Sequence, residues 1–458
     1  MNREADLSAI RSDFRRPGVY YQTLARPRRE EQQFHTGIPV FIGFAEKKKQ
    51  GRQPTQAQIG PEMYQVDRWE QFEQLHQPLP FSESYLVYAI RGFFENGGRR
   101  CVVLPVQYER NSPSEELADV MAEALTKPFI PGGVLEDFDE IDLICVPDAM
   151  VSVIRTHREK VIEIQSAVVD HTRRMGDRFA ILDGLSSDND SKGRSLEQDH
   201  VAPAILHWQS LPPEYGALYY PWVWVKKVSL ESDAEVWPPV GVAGDRQAMQ
   251  RANPVVKSLN SQTAKLVPAC GHIAGIYSRT DSRTGTHKAP ANELLEDVHR
   301  AEIDFTNDEL ATLNEAGINC LSGFAGHGIR VWGARTLSGQ PSWLYVNVLR
   351  LFLTLTRWAR LNMNDLVFET NDGILWERVR QRLNAYCRDL FDRGALMGTS
   401  PTEAFFVKCD SETNTRETRE AGLVVADVGL APAVPAEFII VRITQSASAT
   451  VATEYSAL

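Results

Sequence analysis

Ile141-Asp142-Leu143-Ile144-Cys145-Val146 opens the unit on which the fold reading turns. A helical pattern from Val151 to Arg174 follows it, then Phe179-Ala180-Ile181-Leu182, which ends at Asp183-Gly184. A short apolar run without an alternating polar face suits a sheet covered on both sides, and a helix between two such runs is the crossover of a parallel pair. The pattern continues both ways. Upstream, Ile38-Pro39-Val40-Phe41-Ile42-Gly43-Phe44-Ala45 reads as a buried strand, and Ser82 or Ser84 caps a helix through Tyr85, Tyr88, Ala89 and Phe93 that stops at Gly97-Gly98. Cys101–Leu104 is the next strand, and Ser112-Pro113-Ser114-Glu115 is a capping box opening a helix to about Lys127. Downstream, a helix around Leu196–Trp208 leads to the strand Ala217–Tyr220. This alternation predicts an α/β domain with a mainly parallel sheet.

The last third, from Gly328-Ile329-Arg330-Val331-Trp332-Gly333-Ala334-Arg335-Thr336-Leu337 to Ile443, reads as a mixed α+β structural module. Ser342 caps a helix from Trp343 to about Leu361, on which Asn347, Arg350, Thr354 and Arg357 recur at three- and four-residue steps. That spacing predicts one narrow wet stripe, with the rest of the helix buried. Asn371 caps a second helix to Arg393, roughly 33 Å long at about 1.5 Å per residue. Leu375, Val379, Leu383, Tyr386, Cys387 and Leu390 form its apolar side. The strands Ala404–Cys409 and Leu423–Leu430 follow. Phe438-Ile439-Ile440-Val441-Arg442-Ile443 is apolar on both faces, which predicts a central strand or one that becomes central on assembly. The Ser/Ala/Thr-rich residues 445–458 are expected to be flexible when alone. The module's sheet is expected to be incomplete in one subunit, drawing the Ile38–Ala45 strand from far upstream and further strands from neighbours.

Bulk properties narrow the function classes. A chain of 458 residues with 43% hydrophobic and 24% charged content can bury a large core and divide into several domains. The net charge of −11 gives nothing to attract nucleic acid or an anionic membrane. The first sixty residues hold eleven Lys/Arg against six Asp/Glu, so a basic arm precedes a body carrying −16. That arm is either a solvated tail or attracted to other copies of the body. No apolar run suits a signal peptide or a membrane span, so the chain is expected to be synthesised and assembled in the cytoplasm. Six scattered cysteines without a CxxC pair predict reduced, buried thiols.

Chemistry is tested on a few motifs. Val146-Pro147-Asp148 and Leu182-Asp183-Gly184 set acids just after strands, where α/β enzymes keep catalytic groups. A phosphate- or nucleotide-handling enzyme using Asp148 and Asp183 is therefore the alternative function; against it, Asp148 caps the next helix and Asp183 makes a turn. Gly323-Phe324-Ala325-Gly326-His327-Gly328 lacks both the GxGxxG spacing and the Lys-Ser/Thr of a P-loop. Cys270-Gly271-His272 is half a metal site with no second half nearby. The expectation is a non-enzyme without cofactor or metal.

Pro17-Gly18-Val19-Tyr20, Phe41-Ile42-Gly43-Phe44, the run Arg91–Cys101, Tyr219-Tyr220-Pro221-Trp222, Gly275–Asp281, His287–Asn292, Arg330–Thr336, Tyr345–Arg350 and Pro435-Ala436-Glu437-Phe438 occur in an order that resembles the phage tail sheath proteins. The resemblance is strongest to sheath subunits of contractile injection systems, the antifeeding-prophage-like, phage-tail-like particles. It implies a homo-polymer of stacked hexameric rings around an inner tube, which contracts to drive the tube through a target envelope. The implied inner domain is discontinuous, 25–55 plus 325–444. An outer insertion would span 56–324 with an irregular lobe at 229–268, between arms at 1–24 and 445–458. Arms of neighbours would add strands to one another's sheets, with Val19, Tyr20, Tyr21, Gln22 and Thr23 as one donor and Phe438, Ile439, Ile440, Val441, Arg442 and Ile443 as the other. The implied partners are further copies and paralogous sheath subunits, the inner tube protein, the baseplate and the tail-terminator cap, with no nucleic acid and no direct membrane insertion. Tube contact would fall on the 371–393 helix, through Arg378, Arg380, Arg382 and Arg388.

Overall fold

The computed structural model describes residues 35–47, 63–77, 84–109, 113, 115–186, 200–213, 215–227, 264–324, 326–435, 439–446 and 449–456. Eight strands make the central sheet: β1 (Pro39–Phe44), β2 (Tyr64–Val66), β3 (Cys101–Val106), β4 (Leu143–Cys145), β5 (Phe179–Asp183), β6 (Gly216–Tyr220), β7 (Ile318–Phe324) and β8 (Gly328–Trp332). Their order is β8-β7-β6-β5-β4-β1-β3-β2. The six from β7 to β3 run parallel, and β8 and β2 close the edges antiparallel. Every residue of β1, β4, β5 and β6 is buried, as expected of strands covered on both faces.

This topology corrects one expectation. Ile38–Ala45 does not complete a sheet with the C-terminal third. As β1 it sits between β3 and β4, with Val40 opposite Val102 and Ile144. Gly328–Trp332, the start of the expected module, is likewise an edge strand of the same sheet, so the sheet crosses the expected boundaries at 55/56 and 324/325. The glycine-rich stretch 323–328 ends β7 and opens β8, and in it Gly326 and Gly328 hold φ of 76° and 71°.

The helices α1 (Leu86–Glu95), α2 (Leu117–Thr126), α3 (Arg158–Met175) and α4 (Cys270–Arg283) pack on this sheet and on one another. At the α1–α4 crossing a Cβ on Gly271 would lie 2.1 Å from the Ala89 carbonyl oxygen, so only glycine lets these backbones approach. Cys270-Gly271-His272 is thus a packing motif: the His272 ring lies against Gly92, and Cys270 is buried. No group of metal-ligating side chains occurs among the described residues. A small sheet joins 223–226 to 264–267 and 298–301, giving strand structure to the end of the expected irregular lobe; residues 228–263 lie outside the described residues.

Beyond the sheet come α5 (Val346–Asn362) and α6 (Gly373–Asp392), then β9 (Phe405–Lys408) paired antiparallel with β10 (Asp427–Leu430). Asp372, not Asn371, caps α6, its carboxylate accepting from the N–H groups of Ile374 and Leu375. Asn371 instead donates to the Leu423 carbonyl and accepts from Trp376 Nε1. α5 lies between two cores. Val346, Leu349 and Leu353 join the core of the large sheet, whereas Leu355 packs with Leu375, Val379 and Leu383 of α6. The last described elements are β11 (Ile439–Ser446) and β12 (Ala449–Ser456), an antiparallel hairpin where flexible chain was expected. Residues 36–458 form one compact unit.

Candidate assembly site

The polar stripe of α5 is not wet. Asn347, Arg350 and Arg357 are buried at 3%, 2% and 4% exposure, facing the α/β body. Arg350 reaches Asp281 of α4 through two hydrogen bonds (2.9 and 2.6 Å) and Asp142, just before β4, at 3.3 Å. Its guanidinium also stacks over the Tyr277 ring, 4.7 Å from the centroid, and the Tyr277 hydroxyl bonds to that of Tyr219. Burial alone would lower the Arg350 pKa, but Asp281 and then Asp142 hold it above its ordinary value. Asp142 also accepts from the N–H groups of Gly37 and Ile38. One cation therefore ties β1's lead-in, β4, α4 and α5 together.

The same face holds a loop that the sequence reading passed over. Arg357 donates to the carbonyls of Asp139 and Glu140, and Arg360 pairs with Asp177 and Asp139. From the body side, Arg178 donates to the carbonyls of Leu135 and Phe138. Asn347 donates to the carbonyls of His287 and Ala433. Arg350, Arg357 and Arg360, seven and ten residues apart, share one helical face. That spacing, against the acid-rich run Glu136–Asp142, was the available signal for an interdomain seam.

Asp148 and Asp183 are fully buried caps. The Asp148 carboxylate accepts from the N–H groups of Phe44 (2.5 Å) and Tyr85 (2.5 Å) and from the Ser84 hydroxyl (2.8 Å). It thereby closes the N-terminus of α1, which has no side-chain cap of its own, from a position 64 residues beyond Ser84 in sequence. Asp183 accepts from the N–H groups of Ala269 (2.7 Å) and Cys270 (2.8 Å) and does the same for α4. Burial pushes the two carboxyls up, to about 7 and about 6, against the donors that favour the charged form. The proposed catalytic pair is thus two separate structural groups, each spent on backbone donors. Asp148→Ala should cost about 3 kcal/mol, since it strands three buried donors. Asp148→Asn should recover part of that in a urea-unfolding midpoint.

Two features face outward. β9 and β10 make a two-stranded sheet paired with no other described strand. The Phe406 ring crosses Gly429 directly opposite, where a Cβ would lie 2.1 Å from it. Beside this sheet, Trp343, Tyr345, Val348, Phe352, Leu430 and Pro432 line an apolar groove of ≈ 580 Å³. The other feature is α6. Arg378 pairs with Glu369, Arg380 with Glu377 and Arg382 with Asp365, while Arg388 is exposed without an ion-pair partner among the described residues. At about 100° per residue, Arg380 and Arg382 lie on opposite flanks, so the four arginines do not form one basic face. Of the expected donor strands, Val19–Thr23 and Phe438 lie outside the described residues. Ile439, Ile440, Val441, Arg442 and Ile443 are in β11.

Comparison with known proteins joins these parts. The phage tail sheath protein central domain matches residues 138–337 and the phage tail sheath C-terminal domain matches 338–446. The chain belongs to the phage tail sheath family. The two matched domains meet between Leu337 and Ser338, just ahead of α5. As a family member the chain is a structural sheath subunit. It is 28% identical over 170 residues to the tail sheath protein of Salmonella phage ViI, a match covering 36% of this chain and 26% of that protein. It is 27% identical over 202 residues to a putative prophage major tail sheath protein of Pseudomonas aeruginosa, covering 40% and 48%. The matches thus span about a quarter to a half of these relatives' lengths. The helical sheath of the anti-feeding prophage in its contracted state superposes with a TM-score of 0.62 at 26% identity, covering 94% of this chain and 99% of that one. A chain of the anti-feeding prophage baseplate in its contracted state gives 0.68 at 22% identity, which speaks to fold alone. No helix among the described residues is long and apolar enough to cross a membrane.

Proposed function

We propose that this chain polymerises into stacked six-fold rings around an inner tube and contracts to drive that tube through a target envelope. The observation that carries the reading is the unfinished β9–β10 sheet beside an apolar groove, in a subunit matched almost end to end by an anti-feeding prophage sheath chain. An open strand edge recruits another chain through main-chain hydrogen bonds with little demand on side-chain fit. Val19–Thr23 and Phe438–Ile443 of neighbouring copies are the donors, and the part of the subunit that follows the large sheet, from α5 onward, faces the tube while the sheet and its helices lie outside. Terminal segments at 1–24 and 445–458 link subunits while these slide and rotate. The energy of contraction comes from added burial between subunits, without nucleotide or cofactor.

The other partners are the baseplate, the tail-terminator cap and paralogous sheath subunits, with neither nucleic acid nor direct membrane insertion. Synthesis and assembly take place in the cytoplasm. Electron microscopy of the chain co-expressed with its tube protein should show striated tubes or six-fold rings; a small discrete oligomer under the same conditions would refute polymerisation. On the tube side, Arg388 is the α6 arginine without an ion-pair partner among the described residues. Arg388→Glu should weaken tube co-sedimentation several-fold more than Arg380→Glu at low salt, and the gap should close as salt screens it. Equal effects at both positions would move the tube contact off α6.

A further inference from the structure

The loop between α5 and α6 carries the most exposed large apolar side chain among the described residues, Phe368. Leu366–Glu369 is a turn closed by the Glu369 N–H on the Leu366 carbonyl. Val367 holds φ −66° and ψ 139° and Phe368 holds φ 69°, as in a type II turn. Its second central position ordinarily takes glycine or asparagine, and here it holds a bulky ring that stands fully in solvent. Val367 before it and Ile374 in the first turn of α6 are exposed too, as is the consecutive run Leu423-Val424-Val425. Asn371 sets the two segments side by side, donating to the Leu423 carbonyl while it accepts from Trp376 Nε1. Strain and exposure both disfavour this arrangement in a lone subunit, and burial of the ring against a partner offsets them. We infer that Phe368 is an intersubunit anchor, which inserts into the apolar groove beside β9–β10 of a second copy. This inference rests on the polymerisation reading and adds a side-chain contact that strand addition does not supply.

Area, charge and volume select the occupant. Phe368 alone offers on the order of 200 Å². With the five aliphatic side chains the patch reaches the several hundred Å² that mark an interaction site, a large part of the ~800 Å² each partner gives to a specific interface. The charges around it are already paired within the subunit, Glu369 with Arg378, Asp365 with Arg382 and Arg416 with Glu420. Covering the patch therefore strands none of these charges, and its counterpart is apolar. The groove meets that description. No charged side chain lines it, and its ≈ 580 Å³ lies in the range that buries a drug-sized ligand. Patch and groove stand at opposite ends of β10, with Val425 before the strand and Pro432 after it. A knob and a hole on different parts of one chain make a heterologous contact, which extends into rings or helices instead of closing as a pair. The β9–β10 edge takes a donor's main chain, and the groove takes a neighbour's ring.

A substitution and a cross-link in the full chain test the anchor. Phe368→Gly suits the positive φ and removes the ring. Its urea-unfolding midpoint should equal or exceed the parent's, whereas a merely structural Phe368 would lower it. Its critical concentration for polymerisation, read by sedimentation and electron microscopy, should rise about tenfold or more, the effect of losing one buried phenylalanine. For the cross-link, chains with Val367→Cys, which keep the ring, are mixed with chains with Val434→Cys at the exposed lip of the groove. The six native cysteines are buried. Oxidation of the assembled mixture should give a covalent dimer with one chain of each kind. The anchor is overturned if no mixed dimer forms, if two Val367→Cys chains join each other, or if Phe368→Gly polymerises at the parent's concentration. It is also overturned if that variant loses tube co-sedimentation while its own polymerisation is intact, which would assign the patch to the tube. A parent chain that forms no polymer removes the polymerisation reading and the anchor with it; parent and variant polymerising alike remove the anchor alone.

Discussion

Replacing Arg350 with Met should destabilise the protein by about 3–5 kcal/mol, because it leaves the Asp142 and Asp281 carboxylates buried beside each other without their cation. The loss is of the stranded-charge kind and exceeds what a surface ion pair gives. Two companion variants sharpen it. Arg350→Lys keeps the charge but lacks the fork that meets both Asp281 oxygens, so it should recover only part of the loss. Arg350→Met with Asp281→Asn removes one stranded carboxylate and should be more stable than Arg350→Met alone. Asp142 is the poorer partner for that cycle, since its carboxylate also holds the Gly37 and Ile38 N–H groups. Urea-unfolding midpoints at a common m-value provide the measurement. A loss below about 1 kcal/mol for Arg350→Met would show that apolar contacts of Val346, Leu349 and Leu353 alone seat α5 on the body.

What the sequence made legible follows from which forces are local. Strands β4, β5 and β6 were readable because burial on both faces leaves an unbroken apolar run. The helix start at Thr306 is local in the same way: its partners are three residues apart, and Glu309 and Thr306 exchange hydrogen bonds. The seam was misread for the opposite reason. Asn347, Arg350 and Arg357 look wet by composition, and only their partners at Asp139–Asp142, Asp281 and His287, 60 to 218 residues distant, make them interior. Strand order is equally non-local: β1 has the texture of any buried strand, and nothing in its six residues says that its neighbours are β3 and β4. Asp148 and Asp183 sit after strands, as catalytic acids do, but the groups they serve begin helices elsewhere in the chain. A buried acid at a strand end is ambiguous until the backbone donors around it are known.

Deleting residues 1–24 should leave the body folded and abolish sheath formation, and its effect in mixtures should be larger than its stoichiometry. Residues 36–458 form a compact unit by themselves, so unfolding by urea should be within about 0.5 kcal/mol of the full chain. Head-to-tail contacts are heterologous, each subunit giving one surface and taking another. A subunit without its N-terminal donor can still be captured through 439–446 and still presents the β9–β10 edge, but it gives nothing onward from Val19–Thr23. Once incorporated, it stops growth along one direction of the lattice. Small fractions of deleted chain should therefore shorten sheaths of the full-length protein steeply, with mean length in electron micrographs falling faster than the fraction of intact subunits. A deletion of 437–458 removes the other donor and should poison growth in the same manner, whereas both deletions in one chain leave a subunit that no neighbour captures and that should poison far less. Lengths that fall only in proportion to dilution would mean that the N-terminal segment is a solvated tail, and the strand-exchange assignment of Val19–Thr23 would have to be given up.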